Sequence, residues 1–184
     1  MDLHEMIKEA KLGNAAAQKC LFEKLTARML MLCKRYVKSH QDAEELMLDG
    51  FYKMFKSLTS FKYQGDESFV AWVKKIMINE CLMFMRKTNL LVIAAESIQD
   101  DIHLEEEALN KLSASEIFEL ITQLPPGYRI IFNLYEVDGM AHKEIAKLLG
   151  ISEGTSKSQL SKGKRLLQKM LLQNQNMYAN RKTQ

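Results

Sequence analysis

The sequence predicts an all-α protein: two small helical domains joined by a flexible acidic linker, the C-terminal one a helix-turn-helix. Three observations lead there. The 184 residues hold only two prolines and eight glycines among many Leu, Met, Lys and Glu, a composition that favours helix over sheet. Apolar residues recur every three or four positions along most of the chain, as one face of an amphipathic helix requires. Charge is laid out in blocks: residues 1–88 carry 15 Lys and Arg against 11 Asp and Glu, residues 89–112 one Lys against six acids, and residues 113–184 carry 10 against 6.

The apolar share of 47% suffices for one ordinary domain or two small ones and excludes disorder throughout. The blocks divide the chain into a mildly basic domain over 1–88, an acidic linker over 89–112, a second basic domain over 113–176 and a tail over 177–184. Basic blocks suit a polyanion partner, although charge of this size also occurs in proteins that touch no nucleic acid. Cys20, Cys33 and Cys81 are odd in number and far apart. Each is assigned to an apolar helical face and is expected as a buried reduced thiol rather than a disulfide or metal ligand. No apolar run reaches the length of a membrane span, and Met1-Asp2-Leu3-His4-Glu5 lacks a basic start and an apolar core. Neither a transmembrane helix nor a signal peptide is expected, and a cytoplasmic location follows.

In the first block a short helix carrying Met6, Ile7 and Ala10 ends near Gly13. From Asn14 to Lys38 the residues Leu21, Phe22, Leu25, Met29, Leu32, Cys33, Tyr36 and Val37 form one stripe. A helix capped by Asp42 runs to about Ser57 on Ala43, Leu46, Met47, Phe51, Met54 and Phe55, with Asp42, Glu45 and Asp49 on one flank. Thr59 to Ser68 reads as a loop, with Gly65-Asp66 as its turn signal and two aromatics, Phe61 and Tyr63. A third helix spans Phe69 to about Lys87, turning Phe69, Trp72, Val73, Ile76 and Met77 inward. Lys75, Asn79, Leu82 and Arg86 fall within about 60° of one another on a different face.

The linker contains Asp100-Asp101 and Glu105-Glu106-Glu107; its C-terminal end, Glu105 to Lys111, can equally be read as the start of the next helix. The second block opens with a helix from about Ser113 to Gln123 on Ile117, Leu120, Ile121 and Leu124. Pro125-Pro126 stops it and starts another, which holds Tyr128, Ile130, Ile131, Leu134 and Tyr135 and ends near Asp138-Gly139.

The most specific feature is HKEIAKLLGISEGTSKSQLSKGKRLLQKML, residues 142–171. Two helices joined by the tight turn Gly150-Ile151-Ser152 make a helix-turn-helix. Ile145, Ala146 and Leu149 form the buried face of the first, Ile151 plugs the turn, and Ser152 caps the second helix, which runs from Glu153 to about Leu172. Ser156, Leu160, Gly163, Leu167 and Met170 make its inward stripe. The opposite face presents Gly154, Ser158, Ser161, Lys162 and Arg165, flanked by Lys157 and Lys164. Small residues let a helix approach base edges in the major groove, while Lys and Arg meet phosphates or guanine acceptors. The bland alternative is a solvated basic helix in a bundle.

The string LPPGYRIIFNLYEVDGMAHKEIAKLLGISEGTSKSQLSKGKRLL resembles the region-four domain of sigma factors, above all the extracytoplasmic-function group of the sigma-70 family. DAEELMLDGFYKMF (42–55) and FVAWVKKIMINECLMFMRK (69–87) resemble region two of the same family. The matches cover most of the chain in the right order, and their combination is far more specific than a helix-turn-helix alone.

The resemblance implies a subunit that binds core RNA polymerase and leads it to promoters. The Asp42 helix would dock on the clamp helices of the β′ subunit through Asp42, Glu45 and Asp49, whose alternative role is a solvated face. The Phe69–Lys87 helix and the loop before it would hold the non-template strand of the minus-ten element, with Asn79 on a base and Lys75 and Arg86 on phosphates. Melting requires unstacked bases to be captured on aromatic rings and polar edges. Phe61 and Tyr63 are candidates to cradle a flipped base, or equally to cover the small domain's core; Trp72 is read as core. Gly154, Lys157, Ser158, Ser161, Lys162 and Arg165 would read the minus-thirty-five element, with the β flap of the polymerase as a further contact. The acidic linker would thread toward the RNA exit channel. An anti-sigma factor is a candidate partner, since relatives are often held inactive by one.

Several positions depart from the family pattern. Ser156 stands for an apolar branched residue and would bury a hydroxyl or loosen the packing; Gln159 stands for a frequent Arg or Lys; Ala141 for the capping Ser or Thr, at a cost of about 1 kcal/mol. Leu48 and Gly50 interrupt the polymerase-binding helix, and Met83 replaces a frequent Asp. No His, Cys and Asp cluster has metal-ligand spacing, no Gly-rich phosphate loop appears, and the four His residues are scattered. The chain is thus expected to be no enzyme and to need no cofactor or metal. The alternative of another class is a stand-alone DNA-binding regulator that never joins the polymerase.

Overall fold

The computed structural model describes residues 2–88 and 113–181, with side chains as far as Gln173 and not that of Ala114. The acidic linker, 89–112, lies outside the described residues. The described residues hold eight α-helices, two short non-α turns and no strand, and the chain divides into two compact units with the boundary at Asn89. The all-α, two-domain expectation holds.

In the first unit α1 (Leu3–Lys11), α2 (Ala15–Tyr36), α3 (His40–Ser57) and α4 (Asp66–Lys87) pack together. Each helix start follows from a local signal. The Asp2 carboxylate accepts from the Glu5 amide, Asn14 from Ala16 and Ala17, and Ser39 from Asp42, each satisfying an amide that a first helical turn leaves unpaired. The cap of α3 is therefore Ser39, three residues before the predicted Asp42, which lies inside the first turn. A turn of 3₁₀-helix, Leu58–Ser60, opens the predicted loop. The loop ends earlier than predicted, because α4 begins at Asp66 behind Gly65, whose φ of 114° suits glycine.

The core of this unit is the predicted α2 stripe closed by α3 and α4. Leu21, Met29, Cys33, Tyr36, Met54, Phe69, Val73, Met77, Cys81 and Met85 are fully buried. Two placements are corrected. Cys20 is exposed rather than buried, and Leu82, assigned to the Lys75, Asn79 and Arg86 face, is buried. Both α2 and α3 pack on α4, so more than one flank of α4 is covered. Gly50 sits where α3 meets α4: a Cβ there would overlap the Met77 thioether. Nearby, Lys53 Nζ lies 2.6 Å from the nearly buried Glu80 carboxylate, tying the same two helices.

The second unit contains α5 (Ala114–Gln123), α6 (Pro126–Phe132), α7 (His142–Leu149) and α8 (Glu153–Arg181). Ser113 and Glu116 form a reciprocal cap for α5, and Pro126 opens α6, as predicted. Arg129, itself buried, donates from Nη1 to the Thr122 carbonyl at 2.8 Å and closes the end of α5. Leu120, Leu124, Leu167 and Leu171 form a buried cluster flanked by Tyr128, Phe132, Leu166 and Met170. After α6 the chain makes a turn of π-helix, Asn133–Val137, closed by the Asp138 amide on the Asn133 carbonyl. The backbone of α8 continues past the predicted Leu172 to Arg181.

Candidate nucleic-acid interface

The helix-turn-helix forms as its sequence dictates. Gly150 ends α7 at φ 71°, in the left-handed region, and the Ile151 amide returns to the Ala146 carbonyl at 3.0 Å. The Ser152 hydroxyl accepts from the Thr155 amide at 2.9 Å, the predicted cap of α8. Ala141 offers no such oxygen to α7, yet half of the cap survives: Glu144 reaches back to accept from the Ala141 amide at 3.0 Å.

The two-sided pattern of α8 is present. Ser156, Leu160, Gly163 and Leu167 are buried, and Gly163 is small because Tyr128 lies against it. On the other side Gly154, Lys157, Ser158 and Ser161 are exposed, and Lys162 and Arg165 are half-buried. Gln159 is 2% exposed. The position belongs to the interior of the module.

Ser156 buries its hydroxyl and gives it a polar partner. Its Oγ lies 2.8 Å from His142 Nδ1, and the His142 ring stacks on Tyr135 at 4.3 Å and 19°. One polar contact thus joins α7 to α8, and one ring contact joins α7 to the π-turn. Burial holds the His142 imidazole below its ordinary value, helped by the Lys157 and Lys164 charges and opposed by Glu153 and Glu136. Sequence reading missed this link; the signal available was a hydroxyl at an inward position 14 residues from a histidine at the start of α7.

The flanking lysines are ion-paired. Lys157 Nζ meets Glu153 at 2.9 Å on its own helix, and Lys164 Nζ meets Glu136 of the π-turn. Both pairs are partly exposed, so water screens them.

In the first unit the loop aromatics take different places. Phe61 stacks on Trp72 at 4.6 Å and meets Phe69 edge-on at 5.4 Å, covering the core beneath. Tyr63 stacks on His4 of α1 at 4.2 Å, and its hydroxyl donates to Asp66 at 2.5 Å, which pushes the phenol up to about 12. Trp72 is half-buried. Lys75 and Arg86 are exposed on α4 and Asn79 is half-buried between them in sequence. On α3, Glu45 and Asp49 are exposed and Asp42 is half-buried. The same face carries two exposed apolar side chains, Leu48 at 52% and Tyr52 at 68%, which the sequence reading did not assign to the interface.

A helix-turn-helix whose outer helix shows small and cationic residues, following a helical module with an acidic and apolar face, defines a DNA-binding transcription protein. The family comparison narrows the class. The model of sigma-70 region 2 matches residues 21–90, and that of sigma-70 region 4 matches residues 114–167. The chain belongs to the sigma-70 family of RNA polymerase sigma factors, in its extracytoplasmic-function group. It is similar to the ECF RNA polymerase sigma-E factor of Haemophilus influenzae, with 23% identity over 89% of this chain and 92% of the relative. The ECF RNA polymerase sigma factor SigW of Bacillus subtilis is also 23% identical, over 93% of this chain and 97% of its own. Two solved structures share the fold. CnrH, in complex with the cytosolic domain of CnrY, has a TM-score of 0.51 and 18% identity over 90% of this chain and 94% of that one. The sigma factor RpoE of Bartonella quintana, in complex with the anti-sigma factor NepR, has a TM-score of 0.52 and 23% identity over 84% and 96%. Among the described residues no helix is long and apolar enough to cross a membrane.

Proposed function

We propose that the two units divide the work of promoter recognition while riding on core RNA polymerase, and that the chain carries no catalytic chemistry of its own. Residues 1–88 bind the polymerase and the minus-ten element, residues 113–176 bind the minus-thirty-five element, and residues 89–112 form the acidic connection, with a tail over 177–184. Asp42, Glu45 and Asp49 meet the β′ clamp helices. Asn79 contacts a base of the non-template strand and Lys75 and Arg86 its phosphates, with Phe61 and Tyr63 in the loop alongside. In the second unit Gly154, Lys157, Ser158, Ser161, Lys162 and Arg165 face the upstream element, and the β flap of the polymerase is a further contact. The protein acts in the cytoplasm, where polymerase and chromosome are found.

The observation that carries this reading is the outer face of α8. Its small, exposed Gly154, Ser158 and Ser161 interleave with Lys157 and Lys162 on a helix capped and turned for the major groove. An anti-sigma factor is a further partner of this reading, since both solved relatives are complexes, one of them described as such. The deciding experiment is run-off transcription with core polymerase and genomic DNA, followed by mapping of start sites. Discrete, factor-dependent starts are expected. Binding to DNA without co-elution with core polymerase would favour a stand-alone regulator.

A further inference from the structure

The loop between α3 and α4 is held from outside by α1. His4 stacks on the Tyr63 ring at 4.2 Å and 16°. Nearly two turns further along α1, Lys11 Nζ donates to the Phe61 carbonyl at 2.5 Å and lies 5.9 Å from the centre of the Phe61 ring. The helix that supplies these groups is anchored by Leu3, Ile7 and Ala10, all buried, and capped by Asp2. On the far side the loop is fixed by α4: Tyr63 donates to Asp66, and Phe61 lies on Trp72 and Phe69. His4 itself is exposed and belongs to no core contact, so burial does not explain its position on the tyrosine.

We propose that α1 presets the loop for single-stranded DNA, with His4 and Lys11 as positioning residues: His4 holds one face of Tyr63 so that an unstacked base adds to the other, and Lys11 fixes the backbone at Phe61. The proposal rests on the assignment of this loop to the minus-ten strand. Its physical basis is preorganisation. A ring already held at its hydroxyl and on one face loses little freedom when a base arrives, so more of the stacking energy appears as binding. Among the described residues no second aromatic ring stacks on Tyr63, and the residue is only partly buried, so a base can reach it. Every base offers a π-face, so the device is indifferent to sequence and assists opening rather than recognition.

The test uses holoenzyme assembled from the full chain and core polymerase on a promoter found by start-site mapping. Opening is followed by the fluorescence of a 2-aminopurine placed in the minus-ten non-template strand. His4→Ala is expected to elute with core polymerase and to retain duplex promoter like the wild type, but to open it roughly tenfold more slowly. His4→Phe, which keeps the stack, is expected to restore the rate, and Lys11→Met to slow opening as well. A merely structural role would not give this pattern, since the thermal midpoint of His4→Ala should equal that of the wild type. Opening by His4→Ala at the wild-type rate, loss of its fold, or failure of His4→Phe to rescue would each overturn the brace. Opening at the wild-type rate by Tyr63→Ala and by Phe61→Ala would instead overturn the loop's assignment to the minus-ten strand.

Discussion

His142 and Ser156, 14 residues apart, meet at 2.8 Å between Nδ1 and Oγ and join the two helices of the helix-turn-helix through one buried hydroxyl. Removing the hydroxyl leaves the ring nitrogen without this partner. Ser156→Ala is expected to cost the second unit about 1 kcal/mol. A double-mutant cycle with His142→Ala, followed by denaturant unfolding, should return a coupling of about that size. Additive single effects would show that the contact contributes nothing.

The same pair gives a pH dependence. Burial and the lysine charges favour the neutral His142 ring in the folded protein, so its folded value lies below the ordinary one. The unfolded chain then binds more protons than the folded one between the two values, and stability rises with pH there. The contribution is complete above about pH 6.5 and is lost as pH falls through the lower, folded value. Thermal midpoints of the full chain taken at about pH 7.5 and about pH 5.5 should fall more for the wild type than for His142→Gln.

Gly50 is a packing requirement rather than an interruption. Gly50→Leu must displace Met77 from a filled core, and the first unit is expected to lose about 1–3 kcal/mol. Unfolding curves measure this directly. Because Gly50 lies in the first unit, binding of minus-thirty-five duplex by the folded variant should be unchanged.

Charge reversal at Asp42 and Asp49 is expected to weaken co-elution with core polymerase. Asp49→Lys is the cleaner variant, since Asp42 also sits in the first turn of α3, where a carboxylate complements the helix dipole. Tyr52→Ala removes the most exposed ring on this face and should act in the same direction; retention by core polymerase at wild-type strength would remove this face from the interface.

Lys162→Ala is expected to weaken promoter binding by about 1–3 kcal/mol and to relax preference at one position of the upstream element. Binding to a set of single-base variants across a salt series decides its role. An equal loss on every sequence, with a salt slope shallower by about one, makes it a phosphate anchor.

Much of this was legible in the sequence, because periodicity and caps act locally. The α2 stripe, the Ser113 box, Pro126 and the Gly150 turn each follow from a few neighbouring residues. The misplaced residues have identifiable causes. At 100° per residue Cys20 lies about 140° from the mean direction of the α2 core, so the full arithmetic, rather than adjacency to Leu21, would have put it outside. Leu82 was lost because two helices cover α4, which no single-helix pattern reveals. The cap of α3 was displaced because Ser39 and Asp42 are both good caps, and the earlier one prevails. Contacts that bridge distant positions, His142 to Ser156, His4 to Tyr63 and Gly50 to Met77, have no local signature.

The pairing of Lys157 with Glu153 and of Lys164 with Glu136 has a bearing on how the protein searches a chromosome. Nonspecific adhesion to DNA grows with the number of cations available to replace condensed counterions. Two of the cations on α8 already have internal carboxylate neighbours, so a DNA phosphate must compete with those carboxylates for them, in pairs that water already screens.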